Sequence, residues 1–326
     1  MGRKGKLVNH QVWAVVLAGG DGARLRPLTR LISGGDRPKQ FCRLYGGRTL
    51  LAQTRSRLAP AIPPEQTLFT LVGAHEKFYA AELADVKPSR MVVQPSNKGT
   101  TAAIIYSLLR VTNLAGDPIV GFFPTDHHYS EERRFAASVR LAVKVVRDSP
   151  ATIILLGARA EHAEVDFGWI EPGTALECPF TKSLLRVNQF WEKPPLYVAQ
   201  ILRARGCLWN TFVMIGRASA FLEILKTAVP QVLRVFGVDG HCSGAELSQA
   251  HGDAVYAALT PGDFSRQVLS VSKERLAVLR LKDVGWSDLG TPERVMFAMA
   301  RSGLRSDWQG AVEHENIEDL ATTSAS

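Results

Sequence analysis

The residues best suited to chemistry stand just after the first apolar run of the chain. Leu17-Ala-Gly-Gly-Asp-Gly-Ala-Arg-Leu-Arg-Pro-Leu-Thr29 is dense in glycine at Gly19, Gly20 and Gly22. Glycine lets a backbone approach phosphate oxygens, and consecutive N–H groups form an anion nest. Arg24 stands where a guanidinium can fold back on phosphates. The segment is not a P-loop, because no Gly-Lys-Ser/Thr closes it. Nor is it the dinucleotide fingerprint, because Leu25 occupies the third glycine position. A glycine turn with solvated arginines fits the same letters. Downstream, in Arg37-Pro-Lys-Gln-Phe41, a proline-fixed loop aims Lys39 at a defined spot. A lysine there acts as a point charge on a phosphate.

Charge points the same way. The chain has 39 basic and 31 acidic residues, a net charge of +8. Residues 1–43 hold Arg3, Lys4, Lys6, Arg24, Arg26, Arg30, Arg37, Lys39 and Arg43 against only Asp21 and Asp36. Such a local excess suits an anionic ligand at that end. A nucleic-acid binder would spread its basic residues along a face with interleaved aromatics, and no such stripe is present.

These residues need a framework. At 326 residues the chain makes two domains or one large one. Its 46% hydrophobic and 21% charged content excludes disordered and fibrous classes. No apolar run approaches the length of a membrane span. Residues 1–11 resemble the start of a signal peptide, but Asn9, His10 and Gln11 interrupt the apolar run, so they read as a basic tail. Cys42, Cys178, Cys207 and Cys242 match no disulfide or zinc spacing and read as small apolar residues of a reduced, cytoplasmic protein.

Val12–Leu17, rich in valine, predicts a strand buried on both faces of a parallel sheet. Further strands are expected at Leu68–Val72, Met91–Val93, Pro118–Phe123 and Thr152–Leu156. Helices are expected at 49–59, His75–Leu83, Thr100–Val111 and 131–147. That alternation means βαβ units and an α/β fold. Strands at Phe167–Ile170, Leu184–Trp191 and Trp209–Ile215, with helices at 196–204 and 218–228, follow. No repeat or linker intervenes, so the halves, about 12–150 and 151–300, are expected to share one sheet. Residues 301–326 read as a tail.

At this point the chain resembles the sugar-1-phosphate nucleotidyltransferases, whose signature is a strand, L-A-G-G-x-G-x-R-L-x-P-L-T, then P-K. Pro38-Lys-Gln-Phe41 is most similar to the mannose-1-phosphate guanylyltransferase branch. One departure is the stretch Leu31–Arg37, longer than usual, on the path to Lys39. The resemblance implies a Rossmann-like, mixed, mainly parallel α/β sheet flanked by helices. Members with a cupin-like isomerase domain carry it beyond this point, so no C-terminal cupin domain is expected.

The resemblance also assigns roles. Leu17, Gly19, Gly20 and Gly22 would bind nucleotide. In Gln94-Pro-Ser-Asn-Lys-Gly99-Thr100, Gln94, Gly99 and Thr100 would meet the base, although Thr100 or Thr101 could instead cap a helix. Phe123-Pro-Thr-Asp126-His127 resembles a strand-end P-x-D-H, and a carboxylate at the end of a parallel strand lies in the ligand crevice. Asp126 is thus the first metal ligand. Val284-Gly-Trp-Ser-Asp288-Leu-Gly290 makes Asp288 the second. Asp166-Phe-Gly168-Trp-Ile170 resembles a G-Y-G-Y-I sugar segment with Asp166 in place of the first glycine. Phe190-Trp-Glu192-Lys193-Pro194 places Glu192 on sugar hydroxyls and Lys193 on the sugar phosphate, and Trp209-Asn210-Thr211 places Asn210 on the sugar.

The implied reaction is Mg²⁺-dependent transfer from GTP to mannose 1-phosphate, with Arg24, Lys39 and Lys193 as the catalytic cations. Expected partners are the triphosphate and a hexose 1-phosphate, with a homodimer allowed and neither nucleic acid nor membrane involved. Alternatives are a thymidylyl-, uridylyl- or adenylyltransferase on glucose 1-phosphate, and a non-catalytic subunit that binds a nucleotide sugar. A non-catalytic subunit would be expected to lack a metal Asp or the loop Lys.

Overall fold

The computed structural model describes residues 11–237, 249–306 and 308–309. Cys242 and the expected basic tail, apart from Gln11, lie outside them. The chain runs β1 (Val12–Leu17), α1 (Arg26–Ser33), α2 (Leu50–Leu58), β2 (Thr67–Val72), α3 (Glu76–Tyr79), β3 (Met91–Gln94), α4 (Gly99–Ala115), β4 (Ile119–Pro124), β5 (His128–Tyr129), α5 (Glu132–Asp148) and β6 (Ile153–Arg159). It continues through β7 (Gly168–Ala175), β8 (Leu184–Glu192), α6 (Leu196–Ala204), β9 (Leu208–Arg217), α7 (Ala218–Ala228), α8 (Pro230–Val235), α9 (Gln249–Ala258), α10 (Phe264–Gln267), β10 (Leu276–Arg280), β11 (Trp286–Ser287) and α11 (Pro292–Arg301).

One sheet runs β3-β2-β1-β4-β9-β6-β10-β8-β7, so the two halves do share it. Among the described residues only β8 and β9 run against the rest. The parallel pairings are confined to β3-β2-β1-β4 and β6-β10; elsewhere neighbours are antiparallel. β2 and β3 step to one side of β1 and β4 returns on the other. Strand order therefore reverses between β1 and β4, and their carboxyl ends open the crevice in which such sheets bind ligands.

β1 shows why this scaffold forms. Its side chains alternate between two cores. Val12, Ala14 and Val16 pack with Leu51, Phe135 and Val139 on one face. Trp13 and Val15 pack with Ile104, Leu108 and Phe221 on the other. Each large apolar side chain so buried contributes about 1.5–3 kcal/mol.

A third apolar cluster joins Leu25 and Leu28, at the start of the chain, to Leu289, Val295 and Met299, near its end. It seats α11 against α1, beside the glycine loop. The packing continues past residue 301, where the tail was expected to begin. Trp308 is 9% exposed, and its indole N–H donates to the Leu44 carbonyl at 2.7 Å.

The extra residues Leu31–Arg37 do not displace Lys39. Leu31–Ser33 complete the last turn of α1, and Gly34, at φ 67°, closes it with a 2.8 Å bond to the Arg30 carbonyl. Asp36 then turns back to accept from Arg30 at 2.5 Å. Pro38, extended at φ −60°, hands the chain to a tight turn at Lys39–Phe41.

Candidate active site

The cleft lies at the carboxyl ends of β1 and β4. It has a volume of about 300 Å³, and Leu17, Gly20, Gly22, Arg24, Lys39, Asp126 and Gly290 are among its lining residues. Six positions singled out from sequence thus share one cavity with the loop after Asp288. Gly22 adopts φ 60°, and a Cβ there would stand 3.2 Å from Lys39 Cγ. Only glycine lets the loop and the lysine stem pass this closely.

Lys39 is 9% exposed. Its ammonium lies 2.9 Å from Asp126 Oδ2 and donates to the Asp288 carbonyl at 3.3 Å and the Leu289 carbonyl at 3.4 Å. It therefore bridges residues some 160 positions apart. The backbone explains the meeting. Ser287 of β11 pairs with His128 of β5, and Trp286 with Tyr129, in an antiparallel ribbon. One further step along that register sets Asp288 opposite His127, beside Asp126. Leu289, fully buried at φ 51°, anchors the turn in the third cluster. A non-glycine residue in this region costs about 1–3 kcal/mol and is held there by its surroundings.

The carboxylates differ in their surroundings. Burial opposes ionisation of Asp126, but the Lys39 ammonium beside it outweighs that cost and holds its carboxyl below the usual range. Burial also keeps His127 neutral by lowering its pKa. Trp286 donates its indole N–H to His127 Nδ1 at 3.2 Å. An indole only donates, so Nδ1 accepts and Nε2 carries the proton. That Nε2 lies 3.8 Å from Asp126 Oδ1. Both oxygens of Asp288 accept from Arg294 Nη1, at 3.1 Å each.

Two residues that the sequence reading left without a role complete the cleft. Gln40, 2% exposed, donates through its amide to the carbonyls of Ala18 at 3.0 Å and Gly20 at 2.7 Å, which locks the glycine loop. Its place beside Lys39 was the available signal. Arg294 reaches Asp288, Glu164 at 2.7 Å and Asp166 at 3.4 Å, and lies 4.5 Å above the Phe167 ring. Its signal was Thr291-Pro292, a helix start whose first turn faces the cleft: the Thr291 hydroxyl accepts from the Arg294 N–H. Asp166, noted only as a replaced glycine, also binds Arg24 at 2.6 Å. Arg24 thus crosses from the glycine loop to the sugar segment.

The three positions assigned to the sugar are neighbours. Gly168 of β7 pairs with Glu192 of β8. A Cβ on Gly168 would stand 2.9 Å from Glu192 Oε2 and 3.3 Å from Asn210 Cβ. Asn210 is 7% exposed, and its Oδ1 accepts from the Phe212 N–H at 3.1 Å. Burial and the nearby Asp263 push the Glu192 carboxyl up to about 7. Lys193 is exposed at φ 49°, and its N–H donates to the Phe167 carbonyl at 3.1 Å.

The residues of the loop assigned to the base also make contacts within the protein. Gln94 is 2% exposed and donates to the Leu71 carbonyl at 3.2 Å while accepting from Tyr256 at 3.0 Å. It lies under Gly19, where a Cβ would stand 2.9 Å from its amide nitrogen. Gly99, at φ 81°, faces Gly262, whose carbonyl an added Cβ would overlap. Thr100 does not cap its own helix; its hydroxyl accepts from the Phe264 N–H at 2.8 Å. Gly99→Ala is expected to destabilise the protein by about 2–4 kcal/mol, from overpacking and a strained φ, measured by urea unfolding. A loss under about 1 kcal/mol would mean that the 99–101 and 260–267 segments separate freely.

Among the described residues no helix is long and apolar enough to cross a membrane. A family model described as nucleotidyl transferase matches residues 13–302. The xanthan biosynthesis protein XanB of Xanthomonas campestris is 29% identical over 315 residues, covering 95% of this chain and 63% of its own length. A mannose-1-phosphate guanylyltransferase of Escherichia coli K12 is 27% identical over 290 residues, covering 87% of this chain and 59% of its own. This chain therefore spans less than two thirds of the length of these relatives. A solved Thermus thermophilus protein, described as a mannose-1-phosphate geranyltransferase, superposes with a TM-score of 0.72 at 25% identity, covering 86% of this chain and 76% of that one. With its glycine loop, its strand-end aspartate and the family match over nearly its whole length, the chain belongs to the nucleotidyl transferase family.

Proposed function

We propose that the protein transfers a guanylyl group from GTP to mannose 1-phosphate, releasing pyrophosphate and forming GDP-mannose, with Mg²⁺. The observation that carries this reading is the Lys39 ammonium, held between Asp126 and the Asp288–Leu289 turn at the mouth of a glycine-rich phosphate loop. The name of the similar mannose-1-phosphate guanylyltransferase of Escherichia coli K12 supports the sugar and the base. In the reaction an oxygen of the sugar phosphate attacks the α-phosphorus, and the bond from that phosphorus to the β-phosphate bridge breaks. Pyrophosphate carries away the electron pair. The substrate phosphate is itself the nucleophile, so the protein's work is in-line positioning and charge neutralisation.

The residues suit Mg²⁺. Asp126 stays ionised in the cleft, and Asp288 approaches from the adjoining strand. Asp126 and Asp288 would hold the ion through carboxylate oxygens, the hard donors that Mg²⁺ prefers. When bound, Mg²⁺ neutralises charge developing on the phosphates. Lys39, beside Asp126, and Arg24, beside Asp166, would supply positive charge to the triphosphate. Lys193 holds the attacking phosphate. Gly168, Glu192 and Asn210 receive the sugar ring, while Gln94, Gly99 and Thr100 hold the nucleotide loop in shape. The free thiols at Cys42, Cys178 and Cys207 accord with a cytoplasmic setting.

Glu192 gives this assignment a pH signature. As a carboxylate it accepts sugar hydroxyls, and its pKa of about 7 puts that form within reach of neutral pH. KM for the sugar phosphate is expected to fall as pH rises through about 7 and then level. Glu192→Gln should remove that dependence. The stability sign is opposite: a raised pKa stabilises the fold at low pH, and that gain fades between the ordinary 4.5 and about 7. A wild-type KM that is flat across this range would contradict the sugar role.

The overall reading is tested by a pyrophosphate-release screen of the five nucleoside triphosphates against hexose 1-phosphates, with and without Mg²⁺. GTP with mannose 1-phosphate should lead. Turnover with a thymidine, uridine or adenosine triphosphate and glucose 1-phosphate would select the alternative substrates. No turnover with any pair would select a binding subunit.

A further inference from the structure

A second cavity, of about 750 Å³, opens where β6 and β10 end. None of its lining residues lines the cleft described above. Four cationic residues are in its lining: Arg159, Arg203, Arg280 and Lys282. Among the described residues none of the four has an ion-pair partner. The two carboxylates in the lining are engaged by other cations. Glu161 accepts from Arg301 at 2.8 Å, and Asp283 pairs with Arg134 at 3.4 Å. The cavity therefore carries an uncompensated positive charge, and its size is that of a small-molecule site.

The wall is a built one. Asp283, a non-glycine, adopts φ 48°, and Gly285 follows at φ 58°. A Cβ on Gly285 would stand 2.5 Å from Ser130 Oγ. A loop held in this way is over-determined by its packing. Trp286 and Leu208, both nearly buried, supply an apolar side. Cationic residues and an aromatic in one lining suit a ligand with an anionic head and a flat or ring-shaped body. The ends of parallel strands are also where open α/β sheets place ligands.

We propose that this cavity is a second binding site, separate from the catalytic cleft, for a phosphate-bearing small molecule. Arginine and lysine side chains hold the phosphate, and Trp286 and Leu208 border the rest of the molecule. The site does not depend on which nucleotide or sugar the cleft takes.

The test is calorimetric titration with inorganic pyrophosphate, without divalent metal, at low and raised NaCl. The proteins are the wild type, Lys39→Ala, and the double variant Arg280→Glu/Lys282→Glu. Both substituted positions in the double variant are exposed, and an unchanged Tm confirms its fold. Arg159→Ala/Arg203→Ala removes the other two lining cations should that Tm fall. Wild type and Lys39→Ala should both bind, with affinity falling as salt rises. The cavity variant should lose about tenfold or more at the site that Lys39→Ala leaves intact. The proposal is overturned by any of three results: no pyrophosphate binding by the wild type at millimolar concentration, equal binding by the cavity variants, or loss of all binding in Lys39→Ala. The last would place every phosphate contact in the cleft.

Discussion

Lys39→Ala is expected to lower kcat/KM by about 10²-fold or more, roughly 3 kcal/mol of transition-state stabilisation, while the protein stays folded. The Lys39 side chain ties together the two segments that carry Asp126 and Asp288. Its ammonium meets Asp126 Oδ2 at 2.9 Å and the carbonyls of Asp288 and Leu289 at 3.3 and 3.4 Å. Arginine should not substitute for it. The stem runs within 3.2 Å of where a Gly22 Cβ would be, and a planar fork cannot take the place of a compact charge there. Folding survives because the third apolar cluster, not the lysine, joins α1 to α11. Steady-state kinetics beside urea unfolding separates the two quantities. Near-normal kcat/KM in the alanine variant would remove Lys39 from the reaction.

Asp126→Ala is expected to cost at least as much, and its residual rate should no longer respond to added Mg²⁺. This carboxylate sits at the carboxyl end of β4, and its side chain keeps 32% of its surface exposed. A carboxylate that is ionised yet open to the cleft can exchange a lysine for a metal ion. Removing it leaves Lys39 with carbonyl partners only, for a stability loss of about 1–3 kcal/mol. Because Lys39 and Asp126 act as a unit, the double variant should be no slower than the slower single one. Multiplicative losses would mean that the two residues serve separate steps. An Asp126→Ala enzyme that kept its Mg²⁺ response would place the ion elsewhere.

Local signals in the sequence were read well. Val12–Leu17 is a strand over its expected length, because an unbroken valine-rich run before glycines has few other uses. The helices expected at 131–147 and 196–204 fall within a residue of Glu132–Asp148 and Leu196–Ala204. β10 went unread: Leu276-Ala-Val-Leu279 is too short for its periodicity to tell strand from helix, yet it lies between β6 and β8. The helix expected over His75–Leu83 shrinks to Glu76–Tyr79, flanked by turns. The mainly parallel sheet holds in strand direction but not in pairing, because β9 inserts between β4 and β6.

The site shows the same division. The glycine loop, Lys39 and strand-end Asp126, each singled out from a short stretch of sequence, line one cleft. Gln40 and Arg294 carry local signals, a place beside Lys39 and a helix start at Thr291-Pro292, but those signals do not name their partners, nor does the letter at Asp166 name Arg24 and Arg294. Gly99 was assigned to the base by resemblance, and within the protein it makes a close contact of its own. What approaches is Gly262, whose carbonyl comes from 163 positions downstream, and that contact exists only in the folded chain.

The account rests on Asp126 and Asp288 converging on one cation beside Lys39. Electron paramagnetic resonance of Mn²⁺, titrated into the protein with a non-hydrolysable GTP analogue, reads this directly. Wild type should hold Mn²⁺ more tightly than the free nucleotide does, and Asp126→Ala and Asp288→Ala should each weaken that binding about tenfold or more. Mn²⁺ affinity that fell in one variant and stayed at the wild-type value in the other would contradict a shared site.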